Sequence, residues 1–113
     1  MVAPKRTRLT AERIAAFTCP PGKSQAFLWD TDAPALAVRA AAGGRKTYVF
    51  ERRLNGKTLH VNIGATSDWT IEQARSEARR LAVLVDGGSD PRELERQQQA
   101  ERAAQRQQEQ AQA

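Results

Sequence analysis

The chain has 113 residues, 18 Lys/Arg against 13 Asp/Glu for a formal net charge of +5, one cysteine and one histidine. That length holds one small domain with a modest core. The lone Cys19 excludes a disulfide framework within the chain and fits a cytosolic setting. No apolar run reaches the roughly 18 residues that a transmembrane helix needs, so no membrane partner is expected. The basic start "MVAPKRTRLT" lacks the apolar stretch of a secretory signal.

In chain order, residues 1–8 read as a flexible basic arm with Lys5, Arg6 and Arg8. Thr10 caps a short predicted helix over 11–17. Leu9 before the cap and Ile14 after it stand at the spacing of a hydrophobic staple. "CPPG" at 19–22 ends that helix, because proline cannot continue the hydrogen-bond ladder. Residues 26–30 ("AFLWD") form a predicted strand and "TDAP" a turn. Strands follow over 36–42, 46–54 and 57–64.

Asn55-Gly56 between the last two strands is the strongest short-range hairpin signal, since both residues tolerate the positive φ of a type I′ turn. That turn sets a register with Leu54 opposite Lys57, Arg53 opposite Thr58, Arg52 opposite Leu59, Glu51 opposite His60, Phe50 opposite Val61 and Tyr48 opposite Ile63. Tyr48, Phe50, Leu59, Val61 and Ile63 then share an apolar face. Thr47, Val49, Glu51, Arg53, Thr58, His60 and Asn62 share the other. A slip of one residue would exchange the faces, so the demand for a core locks the register.

The stripe Ile71, Ala74, Ala78, Leu81 and Val85 predicts an amphipathic helix over 70–86 that covers the apolar face. Thr70 and Gln73 give it a capping box. Asp90-Pro91 starts a further helix. From 97 to 113, 8 of 17 residues are glutamine, and a helix this polar has no face to bury. It reads as a linker, a partner-dependent helix or a disordered tail leading into further chain. The expected class is therefore α+β: a three- to four-stranded antiparallel sheet packed on one main helix, with a short N-terminal helix and a polar C-terminal linker helix.

Catalytic chemistry is hard to assemble from these residues. One histidine and one cysteine make a zinc site improbable, and no phosphate-cradling glycine pattern occurs. Asp30 and Asp32 are better read as turn formers than as an acid/base pair, and Trp29 and Trp69 as core or its rim. What remains is a polar sheet face with basic flanks. Residues 1–64 hold 11 Lys/Arg and 4 Asp/Glu, whereas 65–113 hold 7 and 9. Positive charge thus travels with the strands and points to an anionic partner. Arg, Asn and Thr read base edges, and Arg45, Lys46 and Lys57 at turns are placed for phosphates. A solvated face is the plain rival. An RNA-binding sheet is a weaker one, because Tyr48 and Phe50 fall on the core face instead of offering stacking surfaces.

The ordered set "LTAERIAAF", "FLWDTDAPALAVRAAAGGRKTYVFERRLNGKTLHVNIG" and "TIEQARSEARRLAVLVDGGSDP" resembles the N-terminal arm-binding domain of phage and genomic-island tyrosine recombinases (integrases), over about residues 9–92. The resemblance implies a sheet inserted in the major groove of arm-type duplex DNA sites. It implies DNA-facing roles for Arg39, Thr47, Arg53, Thr58, His60 and Asn62, with Arg45, Lys46 and Lys57 at turns and Lys5, Arg6 and Arg8 in the arm. It also implies a catalytic domain outside this chain, no cofactor or metal, and other recombinase protomers as partners of a fragment that is itself monomeric. Residues 1–8 would be the arm, 9–89 the DNA-binding domain and 90–113 the linker toward a core-binding and catalytic region. The alternative is a protein–protein assembly module of such a recombinase. The family often has a basic residue where Glu51 stands and an aromatic where Arg52 stands.

Overall fold

The computed structural model describes residues 6–112. Along them run β1 (Arg6–Thr7), α1 (Ala11–Ala16), β2 (Gln25–Asp30), β3 (Leu36–Ala41), β4 (Lys46–Leu54), β5 (Lys57–Ala65), α2 (Ile71–Asp86) and α3 (Pro91–Gln112). The strands form one sheet in sequence order. β2 to β5 pair as antiparallel neighbours, whereas β1 runs parallel to β2 with Arg6 opposite Trp29.

The α+β class matches the sequence expectation, but the sheet has five strands and is mixed. The extra strand comes from the arm that the sequence reads as flexible. Two residues are too few to show alternation, and what holds them is tertiary. Thr31 N–H donates to Thr7 C=O at 3.1 Å, Arg8 pairs with Asp32 at 3.0 Å, and Leu9 is buried. Lys5 lies outside the described residues.

The local signals act as their chemistry requires. The Thr10 hydroxyl accepts from Arg13 N–H at 3.2 Å and starts α1. Asn55 and Gly56 take φ of 53° and 79°, the left-handed pair of a type I′ turn. The predicted pairs from Leu54–Lys57 out to Phe50–Val61 all form. Beyond them the register shifts, and Tyr48 lies opposite Gly64 instead of Ile63. Ile63 is the extra residue of a bulge, which a period-2 count cannot see. Trp69 closes on Gly64 so tightly that a Cβ there would stand 2.1 Å from the indole Nε1.

One face of the sheet carries the core. Leu28, Leu36, Val38, Tyr48, Phe50 and Leu59 meet Ala74, Ala78, Leu81 and Val85 of α2, with Leu9, Ile14 and Ala33 closing the rim. The alanines let α2 lie close to the strands. Both halves of its capping box form, Gln73 N–H to the Thr70 hydroxyl at 3.1 Å and Thr70 N–H to Gln73 Oε1 at 2.9 Å.

A buried ion pair ties helix to sheet. Asp30 and Arg75 are 0% and 3% exposed at their side chains. Arg75 Nε and Nη2 donate to the Asp30 carboxylate at 2.9 and 3.3 Å, and Nη2 also reaches Leu9 C=O at 3.0 Å. The same carboxylate accepts from Leu9 and Ala33 N–H at 3.1 and 3.0 Å. Asp30 does form the expected turn, and it is equally the anchor for α2. Burial alone would push its carboxyl up. The bonds from Arg75 and from the backbone N–H groups of Leu9, Asp32 and Ala33 outweigh burial and hold it below the usual carboxylate range.

α3 is helical through Gln112, yet every residue from Glu95 on is exposed. Pro91, at its first position, is buried.

Candidate nucleic-acid interface

The second face of the sheet has no helix over it. Register assigns to it Arg6 of β1, Gln25, Phe27 and Trp29 of β2, Ala37, Arg39 and Ala41 of β3, Thr47, Val49, Glu51 and Arg53 of β4, and Thr58, His60 and Asn62 of β5. All six residues expected to face DNA from the strands, Arg39, Thr47, Arg53, Thr58, His60 and Asn62, therefore stand on one surface.

Their side chains are ordered relative to one another. Arg39 Nη1 donates to Asn62 Oδ1 at 3.3 Å, across the intervening strand. That bond leaves the Asn62 amide N–H₂ and the other guanidinium hydrogens as outward donors. Arg39, Arg45, Thr47 and Asn62 border one open depression of about 610 Å³. Arg53 Nη2 donates to Gly56 C=O at 3.0 Å, which folds it back over the hairpin turn. His60 Nδ1 lies 3.6 Å from Glu51 Oε2. A second depression, bordered by Arg6, Trp29, Glu51, Arg53 and Thr58, lies along the same face. Arg45 and Lys57 are exposed at the two turns.

Two basic candidates are placed elsewhere. Lys46 has even parity and points to the core side, where its ammonium binds the Ile14 and Ala15 carbonyls at 2.7 and 3.0 Å. Its ammonium caps the negative end of α1, while the residue borders the same depression as Arg39, Arg45, Thr47 and Asn62. Arg8 is spent on Asp32. Arg52, also on the core side, reaches the rim and pairs with Asp86 at 2.7 Å, keeping its charge in water as its long stem allows.

Sequence reasoning missed the aromatic part of this face. Phe27 and Trp29 stand outward, their rings stacked with centroids 6.1 Å apart. Beside them Ala37 and Val49 are 0% and 1% exposed although no helix covers this side. Outward-facing side chains shield the middle of the sheet. The signal lay in the parity of "AFLWD": once Leu28 turns inward, its two neighbours must turn outward.

A sheet with one face locked on a helix and the other presenting arginines, amides, hydroxyls and a small apolar centre defines a class, the α+β domain with one sheet face left open. Residues 9–99 match the family model described as the arm DNA-binding domain, and the chain belongs to that family. It is 50% identical over 91 residues, 80% of this chain, to prophage integrase IntF of Escherichia coli (strain K12). The matched stretch is 19% of that relative's length. Among the described residues, no helix is long and apolar enough to cross a membrane.

Proposed function

We propose that this domain binds duplex DNA at arm-type sites through the helix-free face of its sheet, as one module of a site-specific tyrosine recombinase acting in integration and recombination. The observation that carries this reading is the gathering of Arg39, Thr47, Arg53, Thr58, His60 and Asn62 on one face, in a chain of the arm DNA-binding family. A B-DNA major groove is about 12 Å wide and admits a two-stranded β-ribbon, such as the β4–β5 hairpin with β3 at its edge. With β3, β4 and β5 in the groove, Asn62, Thr58 and Thr47 reach base edges. Arg45 at one turn and Lys57 at the other meet the flanking phosphates. Strand cutting belongs in this account to a catalytic domain beyond α3, and the reaction takes place in the bacterial cytoplasm.

Titration of duplex DNA at several salt concentrations tests the reading. Arg6, Arg39, Arg45, Arg53 and Lys57 offer phosphate contacts, and each contact adds about 0.9 to the slope of log affinity against log salt. A slope of about −3 to −5 is expected. Binding that is absent, or indifferent to salt, contradicts it.

A second role, in assembling recombinase protomers, is favoured by a different observation. α3 is helical yet exposed beyond Leu94, and a groove of about 340 Å³ runs along its first half, bordered by Asn62, Trp69, Leu81, Leu84, Leu94 and Arg102. Size-exclusion chromatography of a longer chain, with and without residues 95–112 altered, tests that role. Unchanged assembly removes it.

A further inference from the structure

Glu51 is the one carboxylate among the strand positions of the open face. On a surface that meets a polyanion, such a group costs affinity unless it gains a donor from the partner. It is held in place from both sides. Its N–H donates to Ala35 C=O at 3.0 Å, and across the strand pair its carboxylate stands 3.6 Å from His60 Nδ1. The side chain is 27% exposed, enough to present one oxygen outward while the other faces the imidazole.

We propose that Glu51 is a specificity-determining residue that reads the exocyclic amino group of a cytosine, with His60 as its positioning partner. This rests on the DNA reading above. An ionised carboxylate only accepts hydrogen bonds. In the major groove guanine offers O6 and N7 and thymine offers O4, all acceptors that repel it. Adenine offers an amino group beside the N7 lone pair. Cytosine offers its N4 amino group with no acceptor alongside, so it is the base that a fixed carboxylate favours. His60, across the strand pair, stands beside one carboxylate oxygen and leaves the other free to face outward. On this face Glu51 stands opposite His60 and Arg53 diagonally on β4, and Arg6, Arg52 and Arg53 border the same depression as Glu51.

Selection of bound duplexes from a random pool, followed by titration of the recovered sites, tests the proposal with the wild-type chain, Glu51→Gln and His60→Gln. Thermal melts confirm that each variant folds. The wild type should prefer cytosine at one position by about tenfold. Glu51→Gln should move that position toward adenine, whose N6 and N7 a glutamine amide matches, and leave the other positions unchanged. His60→Gln should weaken the cytosine preference and leave the other positions unchanged. If Glu51→Gln instead tightens binding to every duplex by one factor, or leaves every preference as it was, Glu51 reads no base. If His60→Gln keeps the wild-type cytosine preference, His60 does not position it. If the wild type recovers no duplex, the DNA reading falls and this proposal with it.

Discussion

Asp30 and Arg75 show how much one residue pair can decide in a domain this size. Replacing Asp30 with Asn leaves a buried guanidinium without its counter-charge, and breaking such a pair costs about 3–5 kcal/mol. Urea denaturation of Asp30→Asn should show a loss of that order. A loss below about 1 kcal/mol would mean that Glu72 and Asp32, at 2.7 and 3.7 Å from Arg75, already suffice. The pH dependence has a definite sign. The Asp30 carboxyl is held below its ordinary value in the folded state, so the folded protein binds its proton less tightly than the unfolded chain does. The associated stability is fully present above the unfolded carboxylate pKa of about 3.9 and is lost as pH falls through the folded value. Stability should therefore drop in acid below about pH 4, and the drop should be shallower in Asp30→Asn. Gly64 gives a second test at this scale. Gly64→Ala drives a methyl into the Trp69 indole, and overpacking of this kind costs about 1–3 kcal/mol. An unchanged melting temperature would mean that Trp69 swings away freely. Neither feature was legible in advance. An arginine in an amphipathic helix reads as solvated unless its partner 45 positions away is known, and a bulge becomes visible only once both strands are paired.

Elements were far more legible than pairs of residues. β4, β5 and α2 stand almost where alternation, the Asn55-Gly56 turn and the Thr70–Gln73 box place them, because each carries a signal confined to its own few residues. β1 was not legible, since its two residues are held by pairing with β2 and by Thr31, with the Arg8–Asp32 pair just beyond. The open face was half legible. β4 and β5 were assigned through their turn, but the outward Phe27 and Trp29 needed the pairing of β2 with β3. Two predictions belong here. Thr70→Ala removes the capping hydroxyl of α2 and should lower stability by about 1 kcal/mol in the same denaturation measurement. No loss would show that Gln73 and the backbone carry the helix start alone. Deleting residues 100–112, which are exposed throughout, should change stability by less than about 0.5 kcal/mol. A larger loss would reveal that the distal part of α3 supports the domain.

The whole molecule divides its labour between two sides of one sheet. α2, the Asp30–Arg75 pair and the core stiffen one side, so that the other presents its side chains from fixed backbone. Its longest dimension is 57 Å, and α3 alone accounts for about 33 Å of helix, with Gln98, Gln99 and Arg102 bordering a groove together with Val61 and Asn62 at the β5 edge. The central claim is that DNA meets the helix-free face. Backbone and side-chain chemical-shift mapping during titration with duplex DNA tests it directly. The account predicts shifts concentrated on Arg6, Trp29, Arg39, Thr47, Arg53, Thr58, His60 and Asn62, with residues 103–112 unmoved. Shifts gathered on α3 and the groove at Trp69 and Leu94, with the strands silent, would contradict it.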